Sequence, residues 1–213
     1  MRDGDQKYLN YNFIDYLNTK KIIKTNTFKI ISGSLKGRKF SFKDSSGLRP
    51  TLGKTRETLF NWLQFDIDGK TILDPFTGSG ALGIEAISRG AEKVYFIEKN
   101  FKVYNILKSN LKILDSSQYK LTNQDSLVHL EKENLKPFDI VFLDPPFNQG
   151  LLPSILTLIS KKKLINSKSK IYVESEYALT IEFLSSNIMY KCKIEKQKKS
   201  GNVYYCLISL EDL

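Results

Sequence analysis

Short apolar runs alternate with amphipathic stretches along most of the chain. Thr71 to Asp74, Val94 to Ile97, Tyr119 to Thr122, Phe138 to Leu143 and Lys170 to Glu174 are rich in β-branched and aromatic residues. That is the pattern of strands buried on both faces of a parallel sheet. Between them, Ala81 to Arg89, Phe101 to Leu114, Leu127 to Leu135 and Leu151 to Ile159 read as helices, Gly90 serving as a stop. A short helix around Leu179 to Leu184 follows, then strands from Met189 to Glu195 and Val203 to Leu210. Gly201-Asn202 in the turn makes these last two an antiparallel pair closing the sheet. Upstream, Phe28 to Ser32 and Arg38 to Phe42 predict a hairpin through Gly33 to Gly37, and Thr55 to Leu63 a helix. The succession predicts a three-layer α/β sandwich with a mostly parallel sheet. Residues 1–26 have no clean periodicity and are expected to form a flexible extension, with 27–66 packed on a core domain of 67–213.

Two places break the pattern in ways that suggest chemistry. The Phe138 run ends in Asp144-Pro145-Pro146-Phe147. Proline cannot donate to a sheet ladder, so the strand stops there and leaves a carboxylate, free carbonyls and a ring at its carboxyl end. Open α/β sheets bind ligands at that edge. Acceptors beside an aromatic ring suit a planar amine, although a strand ending in a tight Pro-Pro turn capped by Asp144 would use the same residues. The second place is Asp74-Pro75-Phe76-Thr77-Gly78-Ser79-Gly80, a glycine-rich turn between strand and helix. Gly78, Gly80 and Gly83 match a dinucleotide pattern, and a helix amino terminus favours an anion. A pyrophosphate or the carboxylate of an amino-acid tail could use it. Asp74 would repel the first and attract the ammonium of the second. Glu98 ends the next strand at about the 20-residue spacing of a ribose-hydroxyl acceptor. In this order, Asp74, the glycine turn, Glu98 and the Asp-Pro-Pro-Phe corner point to S-adenosylmethionine.

Composition narrows the class. At 213 residues and 41% hydrophobic content the chain suits one enzyme domain. No apolar run reaches the roughly 18 residues of a membrane span. Cys192 and Cys206 are the two cysteines, which argues against a disulfide framework or zinc site and for a reducing, cytoplasmic setting. His129, the single histidine, falls in a helix and reads as a packing or surface residue. The +10 net charge suggests a polyanionic partner, but a Lys-, Asn- and Ile-rich composition would produce it without one. Local clusters carry more weight: Lys36, Arg38 and Lys39; Arg49, Lys54 and Arg56; Lys161 to Lys163; Lys191 to Lys199.

Around these features the chain resembles class I, seven-stranded S-adenosylmethionine-dependent methyltransferases. More narrowly it resembles the bacterial 16S rRNA guanine-N2 methyltransferases. The narrower likeness rests on Ile31-Ser32-Gly33-Ser34-Leu35-Lys36-Gly37-Arg38-Lys39, Gly47-Leu48-Arg49-Pro50-Thr51, Arg56-Glu57-Thr58-Leu59-Phe60-Asn61-Trp62-Leu63 and Tyr172-Val173-Glu174-Ser175-Glu176. It covers residue 27 to the end. It implies a monomer without a metal that acts on 16S rRNA, alone or in a partly assembled small subunit, and methylates the exocyclic amine of a guanine. Asp74, Gly78, Ser79 and Gly80 would hold the methionine moiety and Glu98 the ribose. Asp125, with Ser126, would hold the adenine, although Asp125 could equally N-cap the following helix. Asp144, Pro145 and Phe147 would grip and stack the base, with Arg38, Arg49, Thr51 and Pro146 facing RNA. Arg56 could pair with Glu57 or a helix neighbour, while Leu59, Phe60 and Trp62 read as core. Two other functions use similar parts: methylation of another planar amine (DNA adenine or protein glutamine) and non-catalytic ribosome assembly.

Overall fold

The computed structural model describes residues 25–43 and 53–213. A two-stranded antiparallel hairpin, β1 (Thr25–Lys29) and β2 (Lys39–Lys43), precedes helix α1 (Gly53–Trp62). Strands and helices then alternate: β3 (Thr71–Asp74), α2 (Ala81–Ser88), β4 (Lys93–Ile97), α3 (Phe101–Leu111), β5 (Tyr119–Thr122), α4 (Ser126–Lys132), β6 (Ile140–Leu143), α5 (Leu151–Lys161) and β7 (Lys170–Ser175). A short α6 (Ile181–Ser185) leads to β8 (Lys191–Ser200) and β9 (Val203–Glu211). The main sheet has seven strands in the order β5-β4-β3-β6-β7-β9-β8, parallel from β5 to β7 and antiparallel at β9 and β8. The predicted three-layer sandwich is therefore the observed fold. β3 lies between β4 and β6, so the chain reverses its direction of travel across the sheet there, and the carboxyl ends of β3 and β6 flank the switch point where open α/β sheets place a ligand crevice.

Alternating side chains build a core on each face. On one, Leu59, Phe60, Ile84, Leu107, Phe142 and Tyr172 pack α1, α2 and α3 onto the sheet. On the other, Val141, Leu156, Ile159, Ile171, Leu184 and Ile208 do so for α5 and α6. The hairpin joins the first core through Phe28, Phe40 and Phe42, with the Phe28 and Phe40 rings stacked at 5.6 Å.

A buried carboxylate fastens this hairpin. All of α2 is buried, including Glu85 at 0% exposure. Its oxygens accept from the backbone N–H groups of Ile31 (2.8 Å) and Ser32 (3.0 Å) and from Arg89 Nε (2.8 Å), with Arg56 Nε at 4.0 Å. The Arg56 Nη2 donates to the Lys29 carbonyl at 2.5 Å, so its partners are the hairpin and α2 rather than Glu57. Ser88 completes the seam, its carbonyl accepting from Ser34 N and its hydroxyl from Leu35 N. Gly33, at φ +85°, approaches so closely that a Cβ would lie 1.7 Å from the Ser88 carbonyl oxygen. The partners taken by Ile31 and Ser32 explain one departure from the sequence pattern. Predicted strand Phe28 to Ser32 instead ends its ladder at Lys29 and begins at Thr25, inside the expected extension. The remainder of that extension, residues 1–24, lies outside the described residues.

Other boundaries also move for identifiable reasons. Phe138 N donates outside the sheet, to the Leu164 carbonyl, and β6 spans Ile140–Leu143. β8 continues through the lysine run to Ser200 because β9 pairs with it throughout, with a bulge between Ile194 and Lys196. Cys192 and Cys206 are buried and unlinked, and burial pushes the Cys206 thiol up to about 12. His129 is buried in α4, its Nδ1 3.1 Å from the Gln124 amide oxygen.

Removing Glu85 leaves Arg89 Nε and two backbone donors without their acceptor, and Arg56 without its buried counter-charge. Breaking a buried ion pair typically costs about 3–5 kcal/mol. Glu85→Ala is expected to lose stability on that scale in urea unfolding, and a loss below about 1 kcal/mol would show that the hairpin is held by apolar packing instead.

Candidate active site

Asp74 ends β3 and Asp144 follows β6 directly, so both stand at the crevice. Strand register places them on one face. Ile72 pairs with Ile140 and Leu143 with Val173; continuing one residue sets Asp144 opposite Glu174, which pairs with Tyr205. Asp74 and Glu174 are 3% and 4% exposed, whereas Asp144 is half-buried. Burial holds the Asp74 carboxyl well above its ordinary range; the Asp144 charge adds to this, Glu98 does so less, and the Gly83 N–H opposes it. Burial and Asp144 likewise push Glu174 up, against the hydrogen bond donated by the Tyr172 hydroxyl at 2.8 Å. Three carboxyl groups thus meet at the sheet edge. The Asp74 Oδ2 is buried and accepts no hydrogen bond among the described residues, an arrangement suited to an incoming ammonium donor.

The glycine turn is held by its neighbours. The Thr77 hydroxyl donates to the Asp74 carbonyl (2.6 Å) and accepts from Ile97 N (3.0 Å), while Thr77 N donates to the Ile97 carbonyl (3.2 Å). Gly78 and Gly80 take φ of +53° and +81°, conformations that favour glycine. Gly78 N donates to Glu98 Oε2 at 3.0 Å and Asn100 N to Oε1 at 2.6 Å. Burial raises the Glu98 carboxyl from its ordinary value despite these two bonds. Each carboxylate oxygen keeps further lone-pair capacity, so Glu98 can still accept from a diol. Gly83 has another purpose: a Cβ there would lie 2.1 Å from the Phe96 ring, so this third glycine serves helix–sheet packing.

The remaining predicted residues divide. Asp125 N-caps α4, accepting from Leu127 N (3.0 Å) and Val128 N (3.2 Å), and pairs with Lys99 Nζ at 3.0 Å. The Lys99 hydrogen bond outweighs partial burial and lowers its carboxyl. Ser126 is buried, its hydroxyl donating to the Pro75 carbonyl, which ties α4 to the glycine turn. Pro145 is buried, Pro146 exposed and Phe147 half-buried. The corner is anchored to the end of β7 where Asn148 N donates to Glu176 Oε1 at 3.0 Å. Arg38 is exposed at the turn end of the hairpin, whose opposite end brings Ser41 and Phe42 beside Gly78 and Ser79. Arg49 and Thr51 lie outside the described residues. Sequence reasoning missed Ser41, Phe42, Glu174 and Tyr172 as neighbours of the site. An acid at the carboxyl end of a strand was the available signal for Glu174.

Comparison with known proteins identifies the family and the fold. The family model described as conserved hypothetical protein 95 matches residues 28–209. The chain belongs to this family. Ribosomal RNA small subunit methyltransferase D of Buchnera aphidicola is 42% identical over 85% of the chain and 95% of that relative. Its Escherichia coli namesake is 38% identical over 86% and 90%. A solved Escherichia coli structure, provisionally described as methyltransferase yhhF, superposes with a TM-score of 0.77 at 36% identity, covering 88% of this chain and 100% of that one. In this fold the glycine turn and the Asp-Pro-Pro-Phe corner follow the carboxyl ends of adjacent parallel strands.

The Asp74 environment has a testable consequence. The folded carboxyl keeps its proton to higher pH than the unfolded one. The folded state therefore binds more protons between those two values, and stability falls as pH rises through that window. Asparagine cannot ionise. Asp74→Asn is expected to raise the melting temperature of the ligand-free protein by several degrees at about pH 8 and much less at about pH 4. Equal shifts at both pH values would contradict the assigned burial of charge.

Proposed function

We propose that this protein transfers a methyl group from S-adenosylmethionine to the exocyclic N2 amine of a guanine in small-subunit ribosomal RNA. The observation carrying this reading is that Asp74 and Asp144 stand at the carboxyl ends of adjacent parallel strands, on one face of the sheet. A gripping corner for a planar amine and a donor cradle therefore share a crevice. The names of the family relatives support ribosomal RNA as the substrate.

The unpartnered Asp74 oxygen fits the ammonium of the methionine tail, with Gly78, Ser79 and Gly80 offering backbone groups to its carboxylate. Glu98 would accept from the ribose hydroxyls, and Asp125 and Ser126 border the adenine end. When bound, S-adenosylmethionine supplies an electrophilic sulfonium methyl. The residues of the chain must make a poor nucleophile competent, because the guanine amine shares its lone pair with the ring. Asp144 and the Pro145 carbonyl accept its two hydrogens and direct the lone pair toward the methyl carbon. Once methylated, the amine would carry a surplus proton, which Asp144 or water would take up. Positioning and fixed acceptors supply most of the acceleration. Phe147 stacks on the base, a contact worth roughly 1–3 kcal/mol in single-strand binders. This offsets part of the few kcal/mol needed to extrude a stacked base.

With purified protein and unmethylated small subunits, Asp144→Ala is expected to lower methyl transfer by at least about 100-fold. Its S-adenosylmethionine affinity should stay within a few-fold of wild type, and near-normal turnover would remove Asp144 from the chemistry. Glu98→Ala should weaken S-adenosylmethionine binding by roughly 10-fold or more, the scale of a hydrogen bond to a charged group. Calorimetry showing unchanged affinity would remove Glu98 from the cofactor site.

A further inference from the structure

The edge strand β8 carries lysines at positions 191, 193, 196, 198 and 199, all exposed. A strict two-residue period would put Lys191 and Lys193 on one face and Lys196 and Lys198 on the other. The bulge changes that. Lys191, Lys193, Lys196 and Lys198 stand opposite Glu211, Ser209, Leu207 and Tyr205 of β9, with Glu195 as the extra residue. Directly paired residues share a face, so all four lysines project from one face of the sheet.

That face is the one carrying the crevice. Lys198 pairs with Tyr205, Tyr205 with Glu174, and Glu174 stands opposite Asp144 one residue past the β6 ladder. These four residues form a row across the sheet, about 14 Å long at roughly 4.8 Å per strand spacing. From Lys198 the stripe continues down the edge through Lys196 and Lys193 to Lys191. Lys191 is paired with Glu211 at 2.8 Å. Among the described residues, Lys196 and Lys198 form no ion pair, while Glu195 beside them is engaged by Lys170 at 3.4 Å. Trp62 stacks on Tyr205 at 5.5 Å and walls the same face with an aromatic surface.

We propose that this lysine stripe is a docking surface for the phosphate backbone of the RNA whose target base enters at Asp144. The inference rests on the function proposed above and adds where the flanking strand runs. Charged residues on an edge strand also prevent edge-to-edge pairing of sheets. That role requires charge of either sign on either face. It gives no reason for a bulge that brings Lys196 and Lys198 into phase with Lys191 and Lys193, toward the acidic crevice and its aromatic wall.

The difference in required sign makes the two roles separable. In the double variant K196E/K198E the edge stays charged and protected, but attraction to phosphate becomes repulsion. Binding would be measured with small subunits from cells lacking the enzyme, across a salt series, alongside single-turnover methylation and S-adenosylmethionine calorimetry. The expected result is a rise of roughly fivefold or more in the dissociation constant and KM for subunits. The slope of log affinity against log salt should fall by about 1.4, two phosphates at about 0.7 each for a single strand. The saturated methylation rate and S-adenosylmethionine affinity should remain near wild type, and K161E/K162E at the carboxyl end of α5 should leave all of these values unchanged. Wild-type subunit affinity and salt slope in K196E/K198E would overturn the proposal and assign the lysines to edge protection. If the wild-type protein itself neither binds nor methylates subunits, the proposed function fails and the docking surface with it.

Discussion

Like charges held close at one edge of a sheet are the constraint on which the rest of this molecule depends. Asp74, Asp144 and Glu174 stand on the same face, two of them buried, and the Asp144 charge raises the cost of ionising each of the other two. A folded chain can maintain such a set only if the surrounding elements are rigid enough to prevent its dispersal. The parallel ladder through β3, β6 and β7 supplies that rigidity, and the Thr77 bonds to both the Asp74 carbonyl and β4 fix the turn between acid and helix. The tension makes the crevice receptive to a cation. A sulfonium donor with an ammonium tail is such a ligand.

A second buried carboxylate solves a different problem. Glu85 is surrounded by donors rather than acids, and its work is mechanical: it holds the hairpin turn against α2 through two backbone N–H groups and two guanidinium groups. The far end of the hairpin consequently reaches Gly78 and Ser79 with Ser41 and Phe42, and Asn110 Nδ2 steadies it by donating to the Ser41 carbonyl at 2.7 Å. The glycine turn thus gains a wall from a segment outside the main sheet. Burial favours the neutral form at Asp74, while convergent donors make Glu85 an anchor.

Much of this was legible in the sequence because period and punctuation agreed. Strands Thr71–Asp74 and Tyr119–Thr122 were readable to the residue, as was the succession of strands and helices along the chain from β3 on. The glycine turn and Asp144 were found where a strand ended in residues that cannot continue it. What escaped detection depended on partners distant in sequence. Arg56 turned to Lys29 and Glu85, and β1 ended early because Glu85 captured the Ile31 and Ser32 N–H groups. The length of β8 came from pairing with β9, since a lysine run has little strand character of its own. Glu174 looked like an ordinary strand-end acid until register set it opposite Asp144. At Asp125 the cap was the observed use, and a cap does not prevent its exposed side from bordering a ligand.

The fold, the acid cluster and the basic edge form one arrangement: a cation-receptive crevice at the switch point and a phosphate-receptive flank on the same face. The most direct test is mass spectrometry of small-subunit RNA from cells deleted for this gene, then complemented with the wild-type or Asp144→Ala chain. The account predicts that one N2-methylguanine disappears on deletion, returns with the wild-type chain and stays absent with the variant. An unchanged set of modified guanines after deletion, or full restoration by Asp144→Ala, would contradict it.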